Sequence, residues 1–98
     1  MKTVVVRYKT KPECAAENEA LIARVFEALA REGPAGLRYQ SMREAEGNVF
    51  VHISSVQEGI EHPLTRLPEF QQFQAGIKAR CEEPPMVLAM NVLGRFEG

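Results

Sequence analysis

The sequence of 98 residues has no tryptophan, only two cysteines and almost no net charge, with a formal value of −1 at pH 7. Because there is no basic excess to neutralise phosphates, we expect no nucleic-acid partner. The longest apolar runs reach only the length of a strand, so we expect no membrane partner. Cys14 and Cys81 show neither CxxC nor metal-ligand spacing, which predicts no metal site and favours a reducing, cytoplasmic location.

The sequence also lacks the common cofactor-binding and catalytic motifs. It contains no P-loop, no GxGxxG, no HExxH, no GxSxG and no cluster of metal ligands. We therefore expect that no cofactor is bound. Any functional site would be a pocket lined by scattered polar side chains.

What the chain does contain suffices for one small domain, residues 1–98. Hydrophobic residues make up 45% of the sequence, an ordinary share for a globular protein. β-branched and aromatic residues predict a first strand over Thr3–Lys9. A helix is predicted to begin at Pro12 and to end at Gly33-Pro34. Its apolar stripe consists of Leu21, Ile22, Val25, Phe26 and Leu29.

A hairpin is predicted in the middle of the chain. Its strands cover Leu37–Glu44 and Val49–Ser55. The turn between them is Glu46-Gly47-Asn48, in which the glycine is free to take positive φ. A short helical turn over Gln57–His62, interrupted by Pro63, is predicted to follow the hairpin.

A second helix and a last strand complete the chain. The helix is predicted to open at Pro68 and to end at Pro84-Pro85, with Gly76 weakening it in between. Its apolar face consists of Phe70, Phe73, Ile77 and Cys81. The last strand is predicted over Met86–Phe96.

The order of these elements predicts the fold and an oligomer. Strand, helix, strand, strand, helix, strand, with right-handed crossovers, gives an α+β ferredoxin-like sandwich. A four-stranded antiparallel sheet would then have two helices on one face. Several strands carry apolar residues on both faces, so a monomer would expose a contiguous apolar surface. We therefore predict a homodimer in which sheet faces sheet.

Three segments of the chain contain anchor residues of a known family. They are Arg7-Tyr8-Lys9-Thr10-Lys11-Pro12, Gly36-Leu37-Arg38-Tyr39 and Leu67-Pro68-Glu69-Phe70-Gln71-Gln72-Phe73. Together with the order of elements, they resemble the antibiotic-biosynthesis-monooxygenase-type domains of the dimeric α/β-barrel superfamily. The resemblance covers nearly the whole chain and implies that fold and a dimer. It also implies one of several activities, among them cofactor-free oxidation of quinols and anthrones, haem degradation and lactone isomerisation.

The resemblance bears on haem as well. The haem-degrading members use an Asn, a Trp and a His, where this chain has Val6, Leu64 and Gln74. Because those three groups are missing, the resemblance implies no haem. The tryptophan of the anthrone-oxygenase pattern is missing too.

His52 is the first candidate for a catalytic residue. It lies in the middle of a strand with apolar neighbours on either side. The near-neutral pKa of histidine suits a general base that removes a phenolic proton. The alternative is a core or interface histidine held by one hydrogen bond.

Tyr39, Ser41 and Ser54 join His52 if the hairpin turn centres on Glu46-Gly47. In that register Ser41 lies opposite His52 and Tyr39 lies opposite Ser54. All four side chains then share one face of the sheet. A slip of one residue would instead place the neighbours of Tyr39 and Ser41 on that face.

Three further residues belong to the candidate site. Asn91 interrupts the apolar last strand and could orient a substrate carbonyl or form a hydrogen bond across the dimer. Arg7 could bind a carboxylate or a phenolate, or pair with a nearby glutamate. Phe50, two residues before His52, is assigned to substrate binding together with Arg7, Ser41 and Ser54.

Three other polar or reactive residues are expected to have structural roles only. His62 lies in a predicted loop, where an exposed histidine is unremarkable. Arg80 is near the end of the second helix, where a cation complements the helix dipole. Cys81 falls on the buried stripe and is not expected to be a nucleophile.

Three functions are compatible with these residues. The first is a cofactor-independent monooxygenase of a small aromatic or quinol-type substrate, with His52 as the base and Tyr39 and Asn91 orienting the ring. The second is a non-catalytic dimer that binds an apolar metabolite or stabilises a neighbouring enzyme. The third is an isomerase on the same scaffold, which needs only a base and an acid.

Overall fold

The computed structural model describes all 98 residues as one four-stranded sheet covered by helices on one face. The elements are β1 (Lys2–Thr10), α1 (Ala15–Glu32), β2 (Leu37–Arg43), β3 (Val49–Val56), α2 (Pro68–Ala75), α3 (Ile77–Arg80) and β4 (Cys81–Met90). The strands are antiparallel in the order β2-β3-β1-β4, which confirms the predicted ferredoxin-like fold. None of the helices has the length and apolarity that crossing a membrane requires.

Side chains alternate between the two faces of the sheet, which we call inner (toward the helices) and outer. The inner face includes Val4, Val6, Tyr8, Tyr39, Ser41, Phe50, His52 and Ser54. The outer face includes Val5, Arg7, Val51, Ile53, Met86, Leu88 and Met90. The hydrophobic core lies between the inner face and the helices, with Tyr8, Val25, Phe50 and Phe73 among its members.

The first helix and the hairpin lie where the sequence places them, except that Pro12–Cys14 form a 3₁₀ turn and the α-helix itself begins at Ala15. Gly33 ends α1 in the left-handed conformation (φ 56°), and its N–H donates to Leu29 O at 2.8 Å. In the hairpin, Ser41 pairs with His52 and Tyr39 pairs with Ser54, so of the two registers that the sequence left open the structure has the one centred on Glu46-Gly47. The turn does not use positive φ at its glycine.

The second helix is shorter than predicted. It stops at Ala75, and after Gly76 one short turn, α3, leads directly into β4 at Cys81. Pro84-Pro85 therefore lies within β4 and does not end a helix. A strand tolerates prolines there because β4 is an edge strand, and a register shift next to this pair marks a bulge.

Two other boundaries differ from the sequence prediction. The last strand ends at Met90, because its partner Thr3 lies at the beginning of β1 and offers no further pairs. Residues 91–98 have no regular structure and are exposed. The predicted helical turn over Gln57–His62 is also wrong: Pro63 begins a 3₁₀ turn rather than interrupting one, since proline suits the first helical position.

Candidate functional site

A cluster of hydrogen-bonded polar side chains surrounds His52 on the inner face. His52 is only 5% exposed. Its Nε2 atom is 2.7 Å from the hydroxyl oxygen of Tyr8. Its Nδ1 atom is 2.8 Å from the hydroxyl oxygen of Tyr39 and 2.7 Å from that of Ser41. Three adjacent strands, β1, β3 and β2, thus position the cluster through their register.

The helices extend the cluster into the interior. Asn18 of α1 is completely buried and donates from Nδ2 to the Tyr8 hydroxyl at 2.9 Å. Arg80 of α3, also buried, donates from Nε to Asn18 Oδ1 at 3.0 Å and from Nη2 to the Phe73 carbonyl at 2.7 Å. A Cβ at Gly76 would lie 2.8 Å from Arg80 Nη1, so this glycine leaves room for the guanidinium.

Aromatic rings pack around the imidazole of His52 and shield it almost completely from water. The His52 ring lies 5.3 Å from the Tyr8 ring, 5.8 Å from Tyr39 and 5.4 Å from Phe73. Phe26 of α1 stacks on Tyr39 at 5.2 Å. Ring contacts at these distances stabilise the arrangement and hold the side chains in one orientation.

Burial determines the charge state of the cluster. Loss of solvation lowers the pKa of His52 to about 4, so its imidazole is neutral at pH 7. Burial raises the pKa of Tyr8, although the hydrogen bond from Asn18 opposes this. Burial also raises the pKa of Tyr39, opposed by a hydrogen bond from Ser41. The imidazole and both phenols are therefore uncharged near neutral pH.

A cavity of about 420 Å³ opens beside this cluster, within the size range of small-molecule sites. Its polar lining consists of Tyr8, Tyr39, His52, Ser54, His62, Thr65 and Gln74. The apolar lining includes Val4, Val6, Leu64, Phe70 and Ile77. A larger groove of about 520 Å³ runs between Glu32 and Arg66, but it touches none of the buried polar cluster. The smaller cavity is therefore the candidate site.

The lining of the candidate cavity fits an organic molecule. Its polar groups are hydroxyls, two imidazoles and one amide, and it contains no Asp, Glu, Lys or Arg. No three His, Cys, Asp or Glu side chains lie close enough together to hold a metal ion. The arrangement can hydrogen-bond one oxygen of a flat, mostly apolar ligand at its Tyr39 end.

The structure brings four of the predicted site residues together and separates three. His52, Tyr39, Ser41 and Ser54 share the inner face, and all but Ser41 line the cavity. Arg7 points to the outer face and pairs with Glu83 at 2.7 Å, as the alternative prediction had it. Asn91 is exposed beyond the end of β4, because the strand is shorter than predicted. Phe50 is a buried core residue stacked on Tyr8 and does not line the cavity.

Four residues of the site were not singled out by the sequence as functional. Asn18 and Arg80 each lie on the apolar stripe of a helix predicted from the sequence, seven positions from Val25 and Phe73 respectively. A polar residue on such a stripe is a signal that could have identified them. Tyr8 shares its parity with Val4 and Val6 and so faces the helices. His62 is half-buried at the cavity, and its Nδ1 accepts from the Leu64 N–H at 3.3 Å. Only the proline after His62 hinted at this capping role.

The fold that holds this site is the fold of proteins named antibiotic biosynthesis monooxygenases. One such solved structure has a TM-score of 0.72 and 20% identity, with 96% of this chain and 100% of the other covered. Rv0793 from Mycobacterium tuberculosis has a TM-score of 0.76 and 20% identity over 98% of both chains. A protein from Nitrosomonas europaea, provisionally named an antibiotic biosynthesis monooxygenase, has a TM-score of 0.78 and 14% identity, with 96% of this chain and 100% of the other covered. No protein-family model and no curated protein sequence matches the chain.

Proposed function

We propose that the protein is a cofactor-independent monooxygenase that acts on a small aromatic or quinol-type substrate. The observation that carries this proposal is the cavity of about 420 Å³, whose apolar walls lead to the Tyr39 hydroxyl with buried His52 behind it. A mostly apolar pocket with few, placed polar groups suits a planar aromatic ring. The names of solved structures with this fold support the same class of reaction.

The proposed reaction needs no reductant other than the substrate. The substrate binds as a phenolate or enolate that has already lost its proton to solvent, and this negative charge makes a ring carbon electron-rich. That carbon gives two electrons to O₂ and forms the C–O bond of a hydroperoxide, which loses water to leave a carbonyl. A CH₂ group and O₂ thus become a C=O group and H₂O. The protein contributes orientation, stabilisation of the anion and exclusion of bulk water.

Tyr39 and His52 have distinct roles in this proposal. The Tyr39 hydroxyl lines the cavity and hydrogen-bonds the reacting oxygen of the substrate. His52 has hydrogen bonds at both ring nitrogens, so it acts on the substrate only through the hydroxyl of Tyr39, which lines the cavity. Ser54 and Gln74 also line the cavity, and in this proposal they contact other substituents of the ring.

Oxygen consumption with a panel of quinols and anthrones tests the proposal. We expect uptake by the wild-type protein and a loss of at least about a hundredfold in Tyr39→Phe and His52→Gln, the size typical of losing a hydrogen-bond donor to an oxyanion. Glu17→Gln, on the exposed side of α1, is the matched control and should keep full activity. Absence of uptake by the wild-type protein across the panel, or full activity of Tyr39→Phe, would contradict the proposal.

One observation favours a second candidate, a non-catalytic protein that binds an apolar metabolite. Both nitrogens of the most reactive side chain, His52, already have partners inside the protein. A site of this kind can hold a ligand without transferring a proton. A rise in melting temperature with an aromatic ligand, without oxygen uptake or turnover, would support this candidate, since a ligand stabilises the state it binds.

We also propose that the protein forms a homodimer through the outer face of the sheet. Met86, Leu88 and Met90 on that face are each about half exposed, which is unusual for large apolar side chains in one patch. Val5 and Ile53 continue the patch across the neighbouring strands. Native mass spectrometry at micromolar concentration should give twice the mass of the chain. A clean monomer would contradict this proposal.

A cytoplasmic location remains part of the proposal. Cys14 and Cys81 are both free thiols and both half-buried. Free thiols are typical of reducing compartments. Fractionation of cells that express a tagged protein would test the location.

A further inference from the structure

The hydrogen bonds behind His52 form a chain whose direction is fixed at its buried end. Arg80 has only N–H donors, so the atom of Asn18 that faces its Nε at 3.0 Å must be the acceptor Oδ1. The Nδ2 amide of Asn18 is therefore the group 2.9 Å from the Tyr8 hydroxyl. The Tyr8 oxygen accepts this hydrogen bond.

The proton of the Tyr8 hydroxyl then has one acceptor. Although Tyr8 borders the cavity, none of its surface is accessible to solvent, so no water contacts its hydroxyl. The only side-chain polar atoms within hydrogen-bond distance of its hydroxyl are Asn18 Nδ2, a donor, and His52 Nε2 at 2.7 Å. The hydroxyl must donate to Nε2. The opposite tautomer of His52 would leave the Tyr8 proton unpaired in the core, which folded proteins avoid.

The direction passes through the imidazole to the cavity. Because Nε2 accepts, the ring proton of neutral His52 is on Nδ1, and Nδ1 donates toward the oxygens of Tyr39 and Ser41. The Tyr39 oxygen is thereby an acceptor within the protein. Its own proton is left to point into the cavity that Tyr39 lines.

We propose that Arg80 and Asn18 are positioning residues that hold His52 as its Nδ1–H tautomer and so make the Tyr39 hydroxyl a hydrogen-bond donor to the ligand. The ligand group that matches this donor is a phenolate, an enolate or a carbonyl oxygen on a planar ring. This inference rests on the proposed function for the location of the site. It differs from the base role predicted for His52, because the substrate oxygen is held as an anion.

The charges around the site agree with an anionic oxygen. No carboxylate lies within 4 Å of the Arg80 guanidinium, so its positive charge is not cancelled by a salt bridge. Hydrogen bonds in a chain polarise one another, which transmits part of that charge to Tyr39. The cavity lining contains no Asp or Glu that would repel an anion.

The tautomer of His52 is directly measurable by ¹⁵N NMR of the imidazole at pH 8. In the wild-type protein we expect a protonated Nδ1 and an unprotonated Nε2. Asn18→Asp has nearly the same shape but accepts from both Arg80 and Tyr8, so it should reverse the Tyr8 hydroxyl and put a proton on Nε2. Asn48→Asp, in the hairpin turn, adds the same charge away from the hydrogen bonds that connect Arg80 to Tyr39, so it should leave the tautomer unchanged. A protonated Nε2 in the wild type, or an unprotonated one in Asn18→Asp, would overturn the proposal.

A second measurement tests the ligand chemistry with 4-nitrophenol, whose neutral and anionic forms have different absorption spectra. We expect the wild-type protein to bind the phenolate about tenfold more tightly than the phenol, the typical gain of a charge-assisted over a neutral hydrogen bond. Tyr39→Phe and Asn18→Asp should lose this preference, and Asn48→Asp should keep it. Preference of the wild type for the neutral phenol, or no binding at millimolar probe, would overturn the assignment of Tyr39 as a donor.

Neither measurement depends on turnover, so the two proposals can fail separately. We call the hydrogen bonds that run from Arg80 through Asn18, Tyr8 and His52 to Tyr39 the donor chain. If the tautomer and the phenolate preference are as expected but no oxygen is consumed, the donor chain stands and the monooxygenase proposal fails. If oxygen is consumed while Nε2 of wild-type His52 is protonated, the donor chain fails and the monooxygenase proposal stands.

Discussion

The two faces of the sheet differ in how well their side chains are satisfied by contacts within one chain. On the inner face, polar groups are buried, and the hydroxyls, amide and imidazole around His52 all have hydrogen-bond partners. On the outer face, apolar side chains such as Met86 and Leu88 are left about half exposed. The polar cluster around His52 is therefore satisfied within one chain, whereas the apolar patch of the outer face requires something to cover it.

This difference follows from the two-residue period of a strand. In β3, Phe50 and His52 point to the helices, while Val51 and Ile53 point away from them. One short segment therefore contributes to the proposed ligand site and to the proposed dimer interface. Substitutions at alternate positions should consequently change either the ligand site or the dimer interface, but not both.

The largest effect is expected for Phe73→Ala on the inner side. Phe73 is buried against Tyr8 and His52, and the Arg80 guanidinium lies 5.3 Å above its ring. Removing it should lower the free energy of unfolding by about 3–5 kcal/mol, through lost contacts and a residual cavity. Urea unfolding with an unchanged m-value measures this. A loss below about 1 kcal/mol would show that the helices do not pack on the inner face as described.

Acidification should weaken the inner face next. The pKa of His52 is lowered from 6.5 to about 4 by burial, so the unfolded chain binds this proton before the folded chain does. The contribution of His52 is complete above pH 6.5 and is lost as pH falls toward 4, a total of about 3 kcal/mol for 2.5 pH units.

Unfolding experiments from pH 7 to pH 5.5 measure the first part of this loss, about 1.4 kcal/mol, because the carboxylates with lowered pKa lose their contribution only as pH approaches 4.5 and below. Burial also lowers the pKa of His62, so the pH series should be measured on a protein that carries the substitution His62→Gln. Stability that stays constant across this range would contradict the burial of a neutral His52.

How much of this could be predicted from the sequence varies between elements. The existence of the hairpin follows from local signals, a two-residue period and a short turn, although the sequence leaves its register open between the observed one, which groups Tyr39, Ser41 and His52, and a slip of one residue. The end of the second helix does not follow from local signals, because pairing of β4 with β1 overrides the preference of Pro84-Pro85 to end a helix. Local patterns carry no information about such long-range pairing.

The donor chain shows a second limit. Each of its members is visible in the sequence, and Asn18 and Arg80 even stand out as polar residues on apolar stripes. Their connection through Tyr8 depends on how α1 and α3 pack against β1, which one sequence does not specify. Prediction from the sequence therefore identifies the members at the cavity end, His52, Tyr39 and Ser41, but neither the buried members nor the order in which they are connected.

On the outer face, Leu88→Lys should disrupt the proposed dimer. A charge at the centre of a buried apolar patch should raise the dimer dissociation constant at least about a hundredfold, equivalent to about 3 kcal/mol. Val87→Lys is the matched control, because the neighbouring residue points to the inner side and should leave the dimer intact. Sedimentation velocity over a concentration series measures both. Equal effects of the two variants would contradict an interface confined to the outer face.

The smallest effect separates the buried end of the donor chain from its cavity end. Tyr8→Phe keeps the ring but leaves Asn18 Nδ2 and His52 Nε2 without a partner in the core, so it should cost about 2 kcal/mol of unfolding free energy. Tyr39→Phe should cost less than about 1 kcal/mol, because Ser41 still satisfies His52 Nδ1 and the site is partly open to water. Urea unfolding of the two variants side by side measures the difference. A larger loss in Tyr39→Phe than in Tyr8→Phe would mean that the hydrogen bonds of His52 depend on the cavity side rather than on the buried chain from Arg80.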